Sequence, residues 1–314
     1  MAVTAHTLLD LAKLRYDDPA VGLIEENLSY APELKTFAAR TIPGILYKTA
    51  VRTAFPTVGF TAVNAGIAVS KSALDQRLVE CFLMRASMTV DLALVNQSGD
   101  TLMNLETLEA SGVMKAAMLW VGKQIWQGAG NDAKGFGGLK AAVASTSAMA
   151  LDATGNTGST QSSVYGVKFG DQNVSLIFGA NTTFNLSAFR DQQVLDSNSL
   201  AFDARVAGLT SWVGLQVGNA NCVGRIFNLT VAVPLTDLLL SKLLAKYPVG
   251  YKPDAWFVSR RSAQQLQASR TVTLFGSSNG GPSAGLGTIA DLPEFAFGIP
   301  IVITDSIPET DAHE

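Results

Sequence analysis

Near the start of the chain apolar residues recur at helical spacing. Leu8, Leu11 and Leu14 share one face, and after Asp18 as N-cap and Pro19 in the first turn, Val21, Ile24 and Leu28 make a second short amphipathic stretch. Two prolines then interrupt "YAPELKTFAARTIPGI" and argue for an extended arm rather than a packed domain. From 44 to 71 the residues turn β-branched and aromatic, with a break at Pro56 and glycines at 59 and 66, so a long two-stranded ribbon is expected. An isolated ribbon is marginal in water. This one should gain its stability by lying across another chain.

Ser72 with Asp75 makes a start like a capping box, and Leu74, Leu78, Phe82 and Leu83 predict a helix continuing toward Gly99. A second helix is expected from Leu102 to Gln127, with Leu105, Leu108, Val113, Ala117, Trp120, Val121 and Ile125 on its apolar side and Gly128 just past its end. At 1.5 Å per residue it would be about 40 Å long, the longest rigid element despite Gly112 within it. Between 141 and 236 only nine residues are charged, and "SVYGVKFG", "VSLIFGA" and "RIFNLTVAV" read as strands. "PLTDLLLSKLLAKYP" predicts a helix with Lys242 and Lys246 toward its negative end. A further helix, "SRRSAQQLQASR", follows an N-cap at Ser259, and "FGIPIVITDSI" closes the chain as a strand. There are no repeats and no clear linker.

Composition adds a suspicion of oligomerisation. With 314 residues, 47% hydrophobic, the chain can bury a large core in one elaborated domain or two joined ones. Only 16% of residues are charged, against about 25% in an ordinary soluble domain, so much of the surface is suited to being covered by other subunits. Twenty-six acids against 23 bases give a net charge of -3 with no block of like charge, which removes the electrostatic footprint of a tight DNA reader. The first residues lack a signal peptide's basic and apolar regions, Cys81 and Cys222 sit in no metal or redox motif, and a reducing cytoplasm is expected. The uncharged windows 206–224 and 271–290 are too interrupted by polar residues, glycine and proline to span a membrane. Without secretion, the sequons at Asn27, Asn173, Asn181, Asn185 and Asn228 mean nothing.

Candidate chemistry concentrates in "FGSSNGGPSAGLGTIADLP". Gly276-Ser277-Ser278-Asn279-Gly280 fits the G-x-S-x-G pattern of a serine-hydrolase elbow, but that site needs a preceding strand, a following helix and a histidine, and the two histidines, His6 and His313, are near the termini. The Gly285–Ala290 match to a dinucleotide fingerprint runs into Asp291-Leu292-Pro293 rather than opening a helix. No phosphate loop and no metal motif is present, and the carboxylate pairs Asp17-Asp18 and Glu25-Glu26 read as solvated charge. Trp120 and Trp126, six residues apart, cannot share one helix face; burial in a core or interface suits them better than ligand stacking. No catalytic, cofactor-binding or metal-binding residue is assigned. Arg52 on the ribbon is the charge to single out, either a solvated edge residue or one half of an intersubunit ion pair.

The order of parts resembles the major capsid protein of tailed bacteriophages, the Hong Kong 97-like fold. "RTAFPTVGFTAVNAGIAVSKS" (52–72) is similar to the family's E-loop passage, with its Arg-x-x-hydrophobic-Pro stretch, Asn-x-Gly turn and Ser-Lys-Ser exit. "WQGAGNDAKGFGGL" (126–139) resembles the segment after the spine helix, and "SSVYGVKFG", "GRIFNLT" and "FGIPIVITDSI" resemble its strand passages. The resemblance covers nearly the whole chain and implies an α+β fold: an N-terminal arm (1–43), an E-loop (44–71), a P-domain with spine helix (72–150), a β-rich region with the A-domain (151–295), and a closing P-domain strand and tail (296–314).

It also implies a structural, non-enzymatic protein that assembles as homopentamers and homohexamers into an icosahedral head around double-stranded DNA. It would be a component of the virion capsid, assembled in the host cytoplasm. DNA would be touched weakly and non-specifically, no membrane would be involved, and a portal and a decoration protein would be partners. Residues 1–40 are short for a cleaved scaffolding segment, so a separate scaffolding protein is expected. Some members of the family cross-link a lysine to an asparagine; Lys48 and Lys71 flank the ribbon, but no residue match assigns that chemistry. Glycines 276, 280, 281, 285 and 287 would then form a turn in the A-domain. An encapsulin-type shell on the same fold would hold cargo enzymes instead of DNA. A serine hydrolase using Ser278 is the rival from another class, and the lack of a suitably placed histidine counts against it.

Overall fold

The long amphipathic pattern forms one helix, Leu105–Gln127, about 35 Å long at 1.5 Å per residue, and Gly128 follows it with φ +55°, the left-handed conformation glycine adopts most cheaply. Its inner face carries Leu105, Ala117, Val121, Ile125 and Trp126, all buried, while Trp120 on the other side is 48% exposed. The computed structural model describes residues 29, 31–97, 105–155, 158–196, 198–276 and 291–314. The two helices expected within 6–28 lie outside the described residues.

Around the long helix are two sheets. The first runs in the order β1 (Ala39–Thr41), β7 (Val174–Phe178), β10 (Ala201–Val217) and β4 (Phe82–Asp91), with β8 (Asn185–Leu186) and β9 (Arg190–Leu195) also paired to β10. The second runs β13 (Phe295–Ala296), β14 (Ile299–Ile303), β12 (Ala255–Val258), β6 (Ser162–Val167), β11 (Val223–Leu229) and β5 (Ala150–Asp152). Strands β6, β7, β11 and β12 are buried at every position, as continuous apolar runs covered on both faces should be. A third, two-stranded sheet pairs β2 (Leu46–Ala54) with β3 (Ala73–Glu80). Helices Asp237–Leu244, capped by the Thr236 hydroxyl, and Arg260–Gly276, whose Ser262 N–H donates to Ser259 Oγ, begin where their cap residues require.

Two expectations are overturned. The helix proposed from Ser72 toward Gly99 is instead β3 and β4, with only Leu92–Gln97 helical. The leucines at helical spacing, Leu74 and Leu78, are 68% and 50% exposed, whereas the residues that bury follow a period of two: Val79 and Cys81, then Met88 and Val90. The chain turns back within 44–71 as expected, but the strand that pairs with β2 comes from the segment read as helix. The second correction concerns Tyr30–Ile45. Pro32 and Pro43 delimit a short helix, Glu33–Thr36, and the edge strand β1, parallel to β7. Glu33, Phe37 and Ile42 are buried, so this part of the arm is packed into the core.

What packs it is an aromatic cluster. Phe37 lies 5.8 Å from Trp126 and 5.4 Å from Phe257, and Trp126 lies 5.0 Å from Tyr165. The cluster joins the N-terminal segment, the long helix, β6 and β12. At its edge the Glu33 carboxylate accepts a hydrogen bond of 2.7 Å from the Trp126 indole and another from the Thr304 hydroxyl just beyond β14.

A second buried charge sits in β11. Arg225, 1% exposed, reaches the Glu314 carboxylate with both terminal nitrogens, at 2.7 and 2.8 Å, and holds Ser163 on its other edge. The hydrogen bond from Arg225, together with the positive charges of Arg225 and Lys140, outweighs burial and holds the Glu314 carboxyl below the usual carboxylate range.

Two predictions follow from these environments. A Cβ on Gly122 would stand 2.7 Å from Ser306 Oγ and 2.9 Å from Glu33 Oε2, whereas one on Gly112 meets nothing within 4 Å. Gly112→Ala should therefore stabilise the subunit by about 0.5–1 kcal/mol, while Gly122→Ala should lose that gain to a steric cost of about 1–3 kcal/mol; denaturant titration of both variants checks the opposite signs. For Glu314 the native value is the depressed one, so its stabilisation is present at neutral pH and lost as the pH falls through that value. The stability deficit of Glu314→Gln should accordingly be full at neutral pH and shrink below about pH 4.

Candidate assembly surface

Strands β2 and β3 pair from Leu46 opposite Glu80 to Ala54 opposite Ala73, with a register shift between Arg52 and Ala54. Beyond them residues 55–72 form a tip. Thr57 N–H donates to Ser70 Oγ at 2.8 Å, which draws the two legs of the tip together. At its far end Ala65 N–H donates to Ala62 O, with Asn64 at φ +69°. The turn expected at Asn64-Ala65-Gly66 falls at Ala62–Ala65, with Asn64 in the left-handed region that asparagine tolerates.

The tip is apolar and uncovered. Phe60, Val58, Val63 and Val69 are each more than 90% exposed, and Phe55 is 79% exposed. Single exposed apolar residues are ordinary, but a contiguous set marks an interaction surface. Arg52 is exposed too, opposite Leu74, with its guanidinium 5.6 Å above the Phe55 ring. Lys48 and Lys71 are exposed at the base and the tip.

At its base the ribbon is fastened by polar contacts. Gln216 Oε1 near the end of β10 accepts from Arg40 at 2.8 Å, from Ser175 at 3.4 Å and from the Tyr47 hydroxyl, and Gln216 Nε2 donates to Asp171 O at 2.6 Å. The Arg40 guanidinium stacks 4.8 Å from the Tyr47 ring. From β3, Arg77 donates to the carbonyls of Val217 and Gly218 at 3.1 and 3.2 Å. Sequence reasoning missed this anchor, because its members lie up to 176 residues apart and none forms a local motif.

Between β4 and the long helix runs a groove of about 640 Å³. Phe82, Met84, Val113, Ala116 and Trp120 line it, and Arg85, Asp132 and Lys134 contribute charge. The exposure of Trp120 is thus explained by its place in the groove wall, while Trp126 is a core residue, as the spacing of the two implied.

The hydrolase candidate has no supporting geometry. Gly276 ends a helix instead of leaving a strand, the reverse of the order an elbow requires. Ser278, His6, the Gly285–Ala290 match, the other glycines of that loop and the pairs Asp17-Asp18 and Glu25-Glu26 lie outside the described residues. His313 uses its backbone N–H to reach Gly158 O. Cys81 and Cys222 are free and buried, and burial pushes both thiols up, away from reactivity. Among the described residues no group of acids, histidines and cysteines could hold a metal, and no helix is long and apolar enough to cross a membrane.

A long helix beside a long sheet, a second sheet carrying two helices and a projecting ribbon define a Hong Kong 97-like capsid fold. The capsid structure of bacteriophage Epsilon15 matches with a TM-score of 0.73 and 16% identity over 99% of this chain and 98% of that one. Two structures of the bacteriophage JBD30 capsid match at 11% identity. One has a TM-score of 0.50 over 90% of this chain and 93% of that one; the other, decorated with minor capsid protein trimers, has a TM-score of 0.55 over 98% and 100%. A search of curated proteins finds no match. A family model described as major capsid protein GP7 matches residues 43–312, and the chain belongs to that family. It is a structural protein of the phage capsid, without enzymatic activity, and its place is the capsid of the virion.

The anchor makes a prediction about the ribbon. Gln216→Leu removes the acceptor shared by Arg40 and Tyr47, at a cost of about 1–3 kcal/mol. Hydrogen exchange should accelerate in residues 46–54 and 73–80 while the amides of β6 and β12 stay protected.

Proposed function

We propose that the chain forms the pentamers and hexamers of an icosahedral head enclosing double-stranded DNA, and that the ribbon of one subunit, carrying its apolar tip, covers the groove between β4 and the long helix of a neighbour. The observation that carries this reading is the tip itself, whose apolar side chains find no cover among the described residues. Burying such a side chain is worth about 1.5–3 kcal/mol, so five of them supply on the order of 10 kcal/mol per contact before the costs of association. Arg52, at the edge of that surface, pairs with an acid of the neighbour.

In this reading residues 1–43 are the N-terminal arm, its last third packed into the core. The E-loop is the ribbon, extended from 44–71 to include β3. The P-domain carries the long helix within 72–150, the β-rich region and A-domain occupy 151–295, and 296–314 form the closing strand and tail. The partners are further copies of the chain, a separate scaffolding protein, a portal and a decoration protein, with assembly in the host cytoplasm. Membership of the capsid family supports a DNA cargo over an encapsulin's enzymes. The near balance of 26 acids and 23 bases suits a wall that touches DNA weakly.

The test is electron microscopy of the subunit expressed with its scaffolding protein. Wild type should give closed shells. Phe55→Ser/Phe60→Ser/Val63→Ser should give a folded, soluble subunit with few or none; normal shells from that variant would remove the tip from assembly.

A further inference from the structure

The C-terminal segment changes its mode of attachment at Pro308. Ile307 is the last core residue, 2% exposed. From 308 to 314 every contact described is polar. Ser162 Oγ donates to Pro308 O, and Arg261 N–H, at the start of helix Arg260–Gly276, donates to Glu309 Oε1 at 3.0 Å. Asp311 exchanges two backbone hydrogen bonds of 3.0 Å with Gln161 and pairs with Lys140 at 3.0 Å. Asn228 both donates to Glu314 O and accepts from its N–H, each at 3.1 Å. The carboxylate of Glu314 then reaches Lys140 at 3.1 Å and Arg225 at 2.7 Å.

The body beneath this segment has the features of a peptide-binding site. Backbone groups at Gln161 and Gly158 pair with an extended chain, the Asn228 amide reads one residue's N–H and C=O together, two cations, Lys140 and Arg225, take the side chains of Asp311 and Glu314, and Arg261 holds Glu309 through its backbone N–H and a guanidinium bond to the Glu309 carbonyl. Arg225 is decisive. Its guanidinium is 1% exposed, lies 5.9 and 5.3 Å from the Tyr165 and Phe227 rings and is fixed by Ser163, so it is preorganised for a carboxylate and costly to leave without one. The segment that supplies the carboxylate is itself mostly at the surface, residues 312–314 being exposed. A preorganised guanidinium thus meets an occupant whose described contacts are polar.

We infer that the groove formed by Gln161, Asn228, Arg225, Lys140 and Arg261 is an acidic-peptide site, filled by the chain's own residues 308–314 and open in trans to the same segment of a second copy. The trans occupant rests on the shell reading above. In a shell every subunit brings both groove and segment, and the high effective concentration of neighbouring tails favours exchange.

The test uses a labelled peptide of residues 308–314 (PETDAHE) and three proteins: wild type, a chain ending at Ile307, and full-length Glu314→Gln. Fluorescence anisotropy should show binding to the chain ending at 307, at least about tenfold weaker binding of the peptide bearing Gln in place of its last Glu, and no binding to wild type, whose groove is filled. Glu314→Gln, with a weakened occupant, should also take up the peptide, which keeps the test open if truncation prevents folding. Failure of both altered chains to bind overturns the inference. Capture of a DNA duplex by them instead of the peptide overturns the peptide assignment. Closed shells from a truncated chain that binds no peptide would end the exchange proposal and leave the shell reading standing.

Discussion

A buried carboxyl group has to be met by hydrogen-bond donors, and Glu33 is such a group, fully inaccessible at the meeting point of three segments distant in sequence. Its donors are the Trp126 indole on the long helix and the Thr304 hydroxyl after β14. Both donors reach Oε1, and through it they tie the N-terminal segment, the end of the long helix and the closing strand to one another; Oε2 has no hydrogen-bond partner among the described residues. Gly122 is small for the same reason, since a methyl there would press on Glu33 and Ser306. The aromatic cluster beside it supplies contact area, and the carboxylate supplies direction.

From that junction the remaining architecture follows in two directions. On one side the long helix and the strands β4 and β10 form a stiff plate. On the other, β6, β11 and β12 form a fully buried sheet whose helices cap it. The ribbon joins the body only at its base, where Val79 packs with Ile42, Cys81 and Ile177. It leaves the body through Tyr47 and Arg77, whose partners are a buried glutamine and two backbone carbonyls. Polar anchors of this kind set an angle without adding much apolar stabilisation.

Much of this was legible from the residues. The long helix and its glycine stop, the capped helices after Thr236 and Ser259, and the β-rich stretch from 141 to 236 all carry strong local signals, because propensity, capping and burial agree there. The family was legible from order and a few degenerate patterns. Residues 72–91 were not. Leu74, Leu78 and Phe82 are spaced for a helix, but two of the three are exposed on a ribbon, where a lone chain gives no reward for burying them. The alternating pattern that wins is carried by Val79, Cys81, Met88 and Val90. Periodicity misleads where apolar residues serve a surface meant for another molecule, since the pattern then records two burial events at once. The N-terminal segment misled for a different reason: Pro32 and Pro43 mark its ends, and only its long-range partners reveal that what lies between is core.

The molecule divides its attachments by chemistry. Where a neighbour is expected to stay, at the ribbon tip, the surface is apolar and uncharged, and association through it is non-directional and strong for its area. Where a segment is held by the chain itself, at residues 308–314, the contacts are ionic and directional, and their strength depends on pH and salt. The low charge content follows from this division. Of the few charges the chain has, several sit at defined partners: Arg225 and Lys140 with Glu314, Arg205 with Glu106 and Asp191, Arg260 with Asp305, and Arg270 with Asp237. All but Arg205 with Asp191, which face each other on the consecutive strands β9 and β10, join elements from different parts of the chain. These paired charges set geometry, and the area left uncharged is what a shell of identical subunits can bury.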